Sequence, residues 1–128
     1  MRPAGIVQAA LALILAATAM GSTAFARPAG PELARKAYVL SEIAPHDRDA
    51  YRDYLRNVLP IIERHGGRII VSPFVPAKAV EGRALEGNLA IIEFPSPEAR
   101  DAFWNAPGYR PWKTLRQANA TSRIIHIN

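Results

Sequence analysis

Residues 37–71 read AYVLSEIAPHDRDAYRDYLRNVLPIIERHGGRIIV, and the change of period inside this stretch decides the fold. Ala37 to Ile43 has strand composition, and Pro45 ends it. From His46 onward Tyr51, Leu55, Val58, Ile62 and His65 recur at helical spacing, while Arg48, Arg52, Asp53, Arg56, Glu63 and Arg64 fill the remaining arc. The spacing predicts an amphipathic helix of nearly five turns, with a kink expected at Pro60 because proline removes the hydrogen bond to the Arg56 carbonyl. Gly66-Gly67 terminates it, the first glycine suiting a left-handed cap, and Arg68 to Ser72 returns to β-branched strand composition.

Toward the C-terminus, a Pro/Gly/Ala-rich excursion through Pro73, Pro76, Gly82 and Gly87 precedes a third strand, Leu89 to Phe94. Ser96-Pro97-Glu98 is a helix start, with Ser96 as N-cap and proline at the first helical position. That helix runs through Phe103 and Trp104 to Pro107-Gly108, a second helical piece spans Tyr109 to Asn119, and a last strand covers Ser122 to Ile127. The order β-α-β-β-α-β predicts an α+β, ferredoxin-like sandwich with its helices on one face of a four-stranded sheet.

Toward the N-terminus, Arg2, an apolar run from Ile6 to Met20 and the small-residue end Ala24-Phe25-Ala26 read as a secretory signal peptide over residues 1–26. The run is short and Ala-rich, with no basic stop after it, so no stable membrane anchor is expected after cleavage near Ala26. Residues 27–36 form a tail and residues 37–128 the domain, giving a periplasmic or secreted protein. The 128 residues are 49% hydrophobic and 21% charged, which is globular. The net charge of +5 is spread among acids, so no nucleic-acid partner is expected. The chain lacks cysteine, has no GxGxxG, P-loop, GxSxG or HExxH pattern, and spaces His46, His65 and His126 too widely for a metal site. No metal or cofactor is expected.

Period-two alternation assigns the uncovered face of the sheet. Taking Val39, Ile43, Ile69, Val71, Ala90, Ile92, Phe94, Ile125 and Ile127 as the apolar set beneath the helices leaves Glu42, Arg68, Glu93 and His126 on the other face, one per strand. Tyr38, Leu40, Ile70, Leu89, Ile91 and Ile124 interleave them, an apolar surface large enough to call for a second copy of the chain. Arg68 and His126 are then the nearest cations for the two carboxylates.

The motifs His65-Gly66-Gly67-Arg68, Glu81-Gly82, Ile91-Ile92-Glu93-Phe94-Pro95-Ser96, Pro107-Gly108-Tyr109 and Arg116, with Tyr51 and Tyr54, resemble the domain-of-unknown-function family thirteen-thirty. The resemblance covers residues 37–127 and implies a dimeric α+β barrel, in which two ferredoxin-like sheets pack face to face. It also places the chain near cofactor-free monooxygenases, haem-degrading and chlorite-splitting enzymes and isomerases. Pro107-Gly108-Tyr109 replaces a more usual S-P-E-Y, and a signal peptide is not typical of the family.

Glu93 and His126 are the candidate acid or base, because burial among apolar strand neighbours shifts such groups toward chemistry. His65, Arg68, Glu81, Trp104, Tyr109, Trp112 and Arg116 are the candidate ligand-binding residues. For each the alternative is structural: a helix C-cap for His65, a solvated turn for Glu81, core packing for the three aromatics, and stacking on Trp112 for Arg116. Two functions follow. The first is an exported homodimer that binds a small aromatic or carboxylated molecule and carries out cofactor-free proton transfer or oxygenation, with Glu93 as base or anchor and Arg68 or Arg116 holding the anion. The second is a non-catalytic binding or stress-related dimer whose polar cluster is purely structural.

Overall fold

A computed structural model describes residues 35–128; the expected signal peptide and residues 27–34 of the tail lie outside the described residues. Strand β1 (Ala37–Pro45) leads into helix α1 (Arg48–Arg64), whose N-cap Asp47 accepts hydrogen bonds from the amides of Asp49 and Ala50. The helix continues through Pro60 and buries Tyr51, Tyr54, Val58, Ile61 and Ile62. It ends as expected at Gly66, φ +77°: the Gly66 amide donates to the Glu63 carbonyl and the Gly67 amide to the Ile62 carbonyl, a complete Schellman cap.

Strands β2 (Arg68–Val71) and β3 (Asn88–Phe94) precede α2 (Pro97–Trp104), which Ser96 caps from its hydroxyl; α3 (Arg110–Asn119) runs straight into β4 (Ala120–Ile127). All pairings are antiparallel in the order β2-β3-β1-β4, the expected ferredoxin-like topology. Among the described residues no helix is long and apolar enough to cross a membrane.

The register separates two faces. Beneath the helices lie Ala37, Val39, Ser41 and Ile43 of β1, with Ala90, Ile92 and Phe94 paired alongside on β3. Phe94 stacks on Phe103 at 5.4 Å between ring centroids, and Phe103 meets Tyr109 at 4.5 Å, forming an aromatic spine between sheet and helices.

Strand β4 corrects the expectation. Val39 pairs with His126 and Ser41 with Ile124, so these two face the helices, whereas Ile125 and Ile127 oppose Leu40 and Tyr38 on the open face. Apolar residues stand at both parities of this strand, and a one-residue slip exchanges the faces. Packing decides the matter: Ile124 joins the core and His126 meets the Trp104 ring edge-on at 5.1 Å. In β2 a register shift sets Val71 opposite Ile91, an open-face residue, instead of in the helix-covered set.

Candidate functional site

The open face is ordered in rows. Arg68, Glu93, Tyr38 and Ile127 form one row; Val71, Ile91, Leu40 and Ile125 form the next; Leu89, Glu42 and Arg123 form the third. An apolar row therefore lies between two rows that each carry a carboxylate.

Both carboxylates are paired with cations. Arg68 donates to Glu93 at 2.9 and 3.0 Å and Lys36 at 3.2 Å, and the Arg68 guanidinium holds the carboxyl below the usual carboxylate range. Glu42, only 4% exposed, accepts from Arg83 through both oxygens, at 3.0 and 3.3 Å, and from the Glu86 amide. That amide is the main reason its carboxyl is depressed, followed by Arg83. The expected cations were Arg68 and His126; the structure confirms Arg68 for Glu93 and replaces His126 by Lys36, Arg83 and the facing Arg123. The clasp pins the far end of the 72–87 excursion to the sheet and borders a polar pocket of about 260 Å³ with Thr121, Ser122 and Arg123.

This clasp sets an acid dependence. Because the folded-state pKa of Glu42 lies below its unfolded value, its stabilisation is present in full above the unfolded pKa, about 4.3, and is lost as pH falls through the folded value. Glu42→Gln is expected to flatten the decline of the urea midpoint between about pH 5 and pH 3. An unchanged acid limb in the variant overturns the assignment.

A second site lies on the other side of the sheet. Ser41 and Ala90, paired at its centre, are too small to fill the space beneath α1. An apolar throat of about 30 Å³ remains, walled by Tyr51, Tyr54, Leu55, Val58 and Ile69. Tyr51 and Leu55 also line an adjoining mouth of about 500 Å³, where Arg48, Arg52, Phe74 and Asn88 gather. Behind the tyrosines, the Tyr54 and Tyr109 hydroxyls share a 3.1 Å hydrogen bond, and burial pushes the Tyr54 phenol well above its ordinary pKa.

The expected site residues divide accordingly. Glu93 and Arg68 meet on the open face. His126 lies on the helix side, 3.9 Å from Asp101, with its imidazole held below its usual value by burial and then by Arg100. His65 Nδ1 donates to the Ile61 carbonyl at 2.8 Å, the helix-end role. Glu81 is exposed beside Gly82, whose φ is +80°. Trp104 and Trp112 pack against the core, Tyr109 lies within it, and Lys113 Nζ sits 3.9 Å above the Trp104 ring. Arg116 is buried, donates to the Ser122 hydroxyl and stands 5.9 Å from the Tyr54 ring instead of stacking on Trp112. Sequence reasoning missed Arg83 and the Tyr51–Tyr54 wall as a site; the helical spacing of the two tyrosines with Leu55 and Val58 was the available signal for the wall.

Comparison with solved structures places these features in a known fold. A protein of unknown function from Rhodopseudomonas palustris, RPA0582, is 24% identical, with a TM-score of 0.55 over 72% of this chain and 80% of that one. The cofactor-independent oxygenase SnoaB from Streptomyces nogalater is 15% identical, with a TM-score of 0.52 over 74% and 93%. A dimeric ferredoxin-like protein of unknown function from Jannaschia sp. CCS1 is 14% identical, with a TM-score of 0.51 over 73% and 99%. No curated protein matches the chain by sequence. Residues 36–128, which hold both carboxylate clasps and the crevice under α1, match the family described as Domain of unknown function (DUF1330), and the chain belongs to that family.

Proposed function

We propose that the protein is an exported homodimer that binds a small aromatic molecule in the crevice beneath α1. The observation that carries the reading is that the apolar throat and the roomier mouth share Tyr51 and Leu55 as walls. The mouth has room for an aromatic ring against Tyr51 and Leu55 with its edge toward the throat, and Arg48, Arg52 and Asn88 offer polar contacts there. The apolar row through Leu40 favours a second copy on the open face, the Jannaschia protein of the same fold is named as dimeric, and the leader-like residues 1–26 favour export.

The catalytic branch is cofactor-free proton transfer or oxygenation; SnoaB is named as a cofactor-independent oxygenase. Glu93 enters as an anchor at the subunit contact, since it faces away from the crevice and is held ionised by Arg68. Among the described residues, those lining throat and mouth include no carboxylate or imidazole. The balance thus favours binding over turnover, and the engaged carboxylates favour a structural part for the open-face charges.

Native mass spectrometry of protein from the exported fraction tests the reading. A dimer beginning at Arg27 and carrying a small-molecule mass is expected, and Ala90→Leu, which fills the throat, is expected to lose that mass while keeping the dimer. A ligand retained undiminished by Ala90→Leu overturns the crevice as its seat, and a monomer overturns the assembly.

A further inference from the structure

The wall of the crevice has an unusual backing. Tyr54 and Tyr109 bring two phenol protons and share one hydrogen bond, so one proton finds no acceptor within the pair. Beside them Arg116 is only 3% exposed. Its Nη1 donates to the neutral Ser122 hydroxyl, and its Nε is buried without a partner among the described residues. Among the described residues no carboxylate forms an ion pair with it, in contrast to Arg83 and Arg100, which pair with Glu42 and Asp101. The group is therefore rich in donors and holds a full positive charge that the fold leaves uncompensated.

A buried guanidinium without an acid is costly, and its field is weakly screened in the interior. Tyr54, whose ring Arg116 approaches, is also a wall of the throat, so that field reaches whatever occupies the crevice. We infer that the crevice selects a ligand bearing an anionic oxygen, such as an aromatic carboxylate, and that Arg116 is the positioning charge that selects it. The inference rests on the crevice being the ligand seat and adds the charge of the ligand to that reading.

Benzoate and benzamide share a ring and differ in charge, so their binding to the whole protein, measured calorimetrically at pH 7, tests the inference. Benzoate is expected to bind about tenfold more tightly. Arg116→Gln is expected to abolish that preference, so that benzoate and benzamide bind alike, and Arg116→Lys to retain most of it. Equal affinities in the wild type overturn the charge selection and leave the crevice reading standing; failure of both probes to bind overturns the crevice reading and the inference with it. A preference that survives Arg116→Gln but disappears on joint replacement of Arg48 and Arg52 by Gln moves the selecting charge to the mouth. For the case of a Gln variant that fails to fold, the wild-type protein supplies a second readout: the Arg116 Nε–H resonance is expected to shift with benzoate and not with benzamide. The same shift with both probes, or with neither, overturns the role of Arg116.

Discussion

Leu40→Glu is expected to convert the proposed dimer into a folded monomer, read as a halving of mass by light scattering across micromolar concentrations. Leu40 stands at the centre of the apolar row, with Ile91 on one side and Ile125 on the other, on the strand that lies inside the sheet. Two such faces packed about a two-fold axis bring the row against its own copy, and a carboxylate there loses its water without gaining a cation. Of the guanidinium groups on the flanking rows, Arg68 is already committed to Glu93, and Arg123 faces Glu42, whose carboxylate Arg83 of the excursion also holds. A cost of about 4 kcal/mol, near a thousandfold in the dimer constant, is a reasonable scale for the pair of buried charges. The monomer stays folded because Leu40 points away from the helix-covered core. A variant that remains dimeric shows that the sheet faces do not meet.

The elements of the fold were legible because their signals are local. The double glycine after Ile62 and His65, the Ser96-Pro97 start and the β-branched runs each act within one turn or one strand, and each element appears near its expected bounds. What escaped depends on contacts between distant residues. The parity of β4 was ambiguous because Ile124 competes with Ile125 and Ile127, and only the seat offered by Trp104 places His126 on the helix side. The Glu42–Arg83 clasp spans 41 residues and is closed by a loop that no periodicity describes. The throat arises from a paired Ser41 and Ala90, and strand composition does not reveal that two small residues on different strands meet. Glu93 was found with its correct partner because both lie on neighbouring strands at the same row, which alternation can predict.

Phe94→Ala is expected to be the most destabilising single change in the helix-covered core. The side chain is fully buried, and its ring packs directly on the backbone of Gly67, where an added Cβ would lie 2.6 Å from it. On its other side it stacks on Phe103, which in turn meets Tyr109 and so reaches the hydroxyl pair with Tyr54. Truncation therefore removes the base of the aromatic spine as well as its own transfer energy. Collapse into the space is resisted on both sides, by the Gly66-Gly67 cap that ends α1 and by the Ser96 cap that begins α2. A loss of about 3–5 kcal/mol is expected, against the roughly 5–15 kcal/mol that holds a domain of this kind together. For a domain of this length the midpoint of thermal unfolding should fall by roughly 15–30 °C when wild type and variant are scanned at the same protein concentration. The crevice shares the core with Phe94 through Ile62 and Ile92, so stabilisation by the proposed ligand should fall in the same variant. A loss below about 1 kcal/mol would show that the spine is not what joins the helices to the sheet.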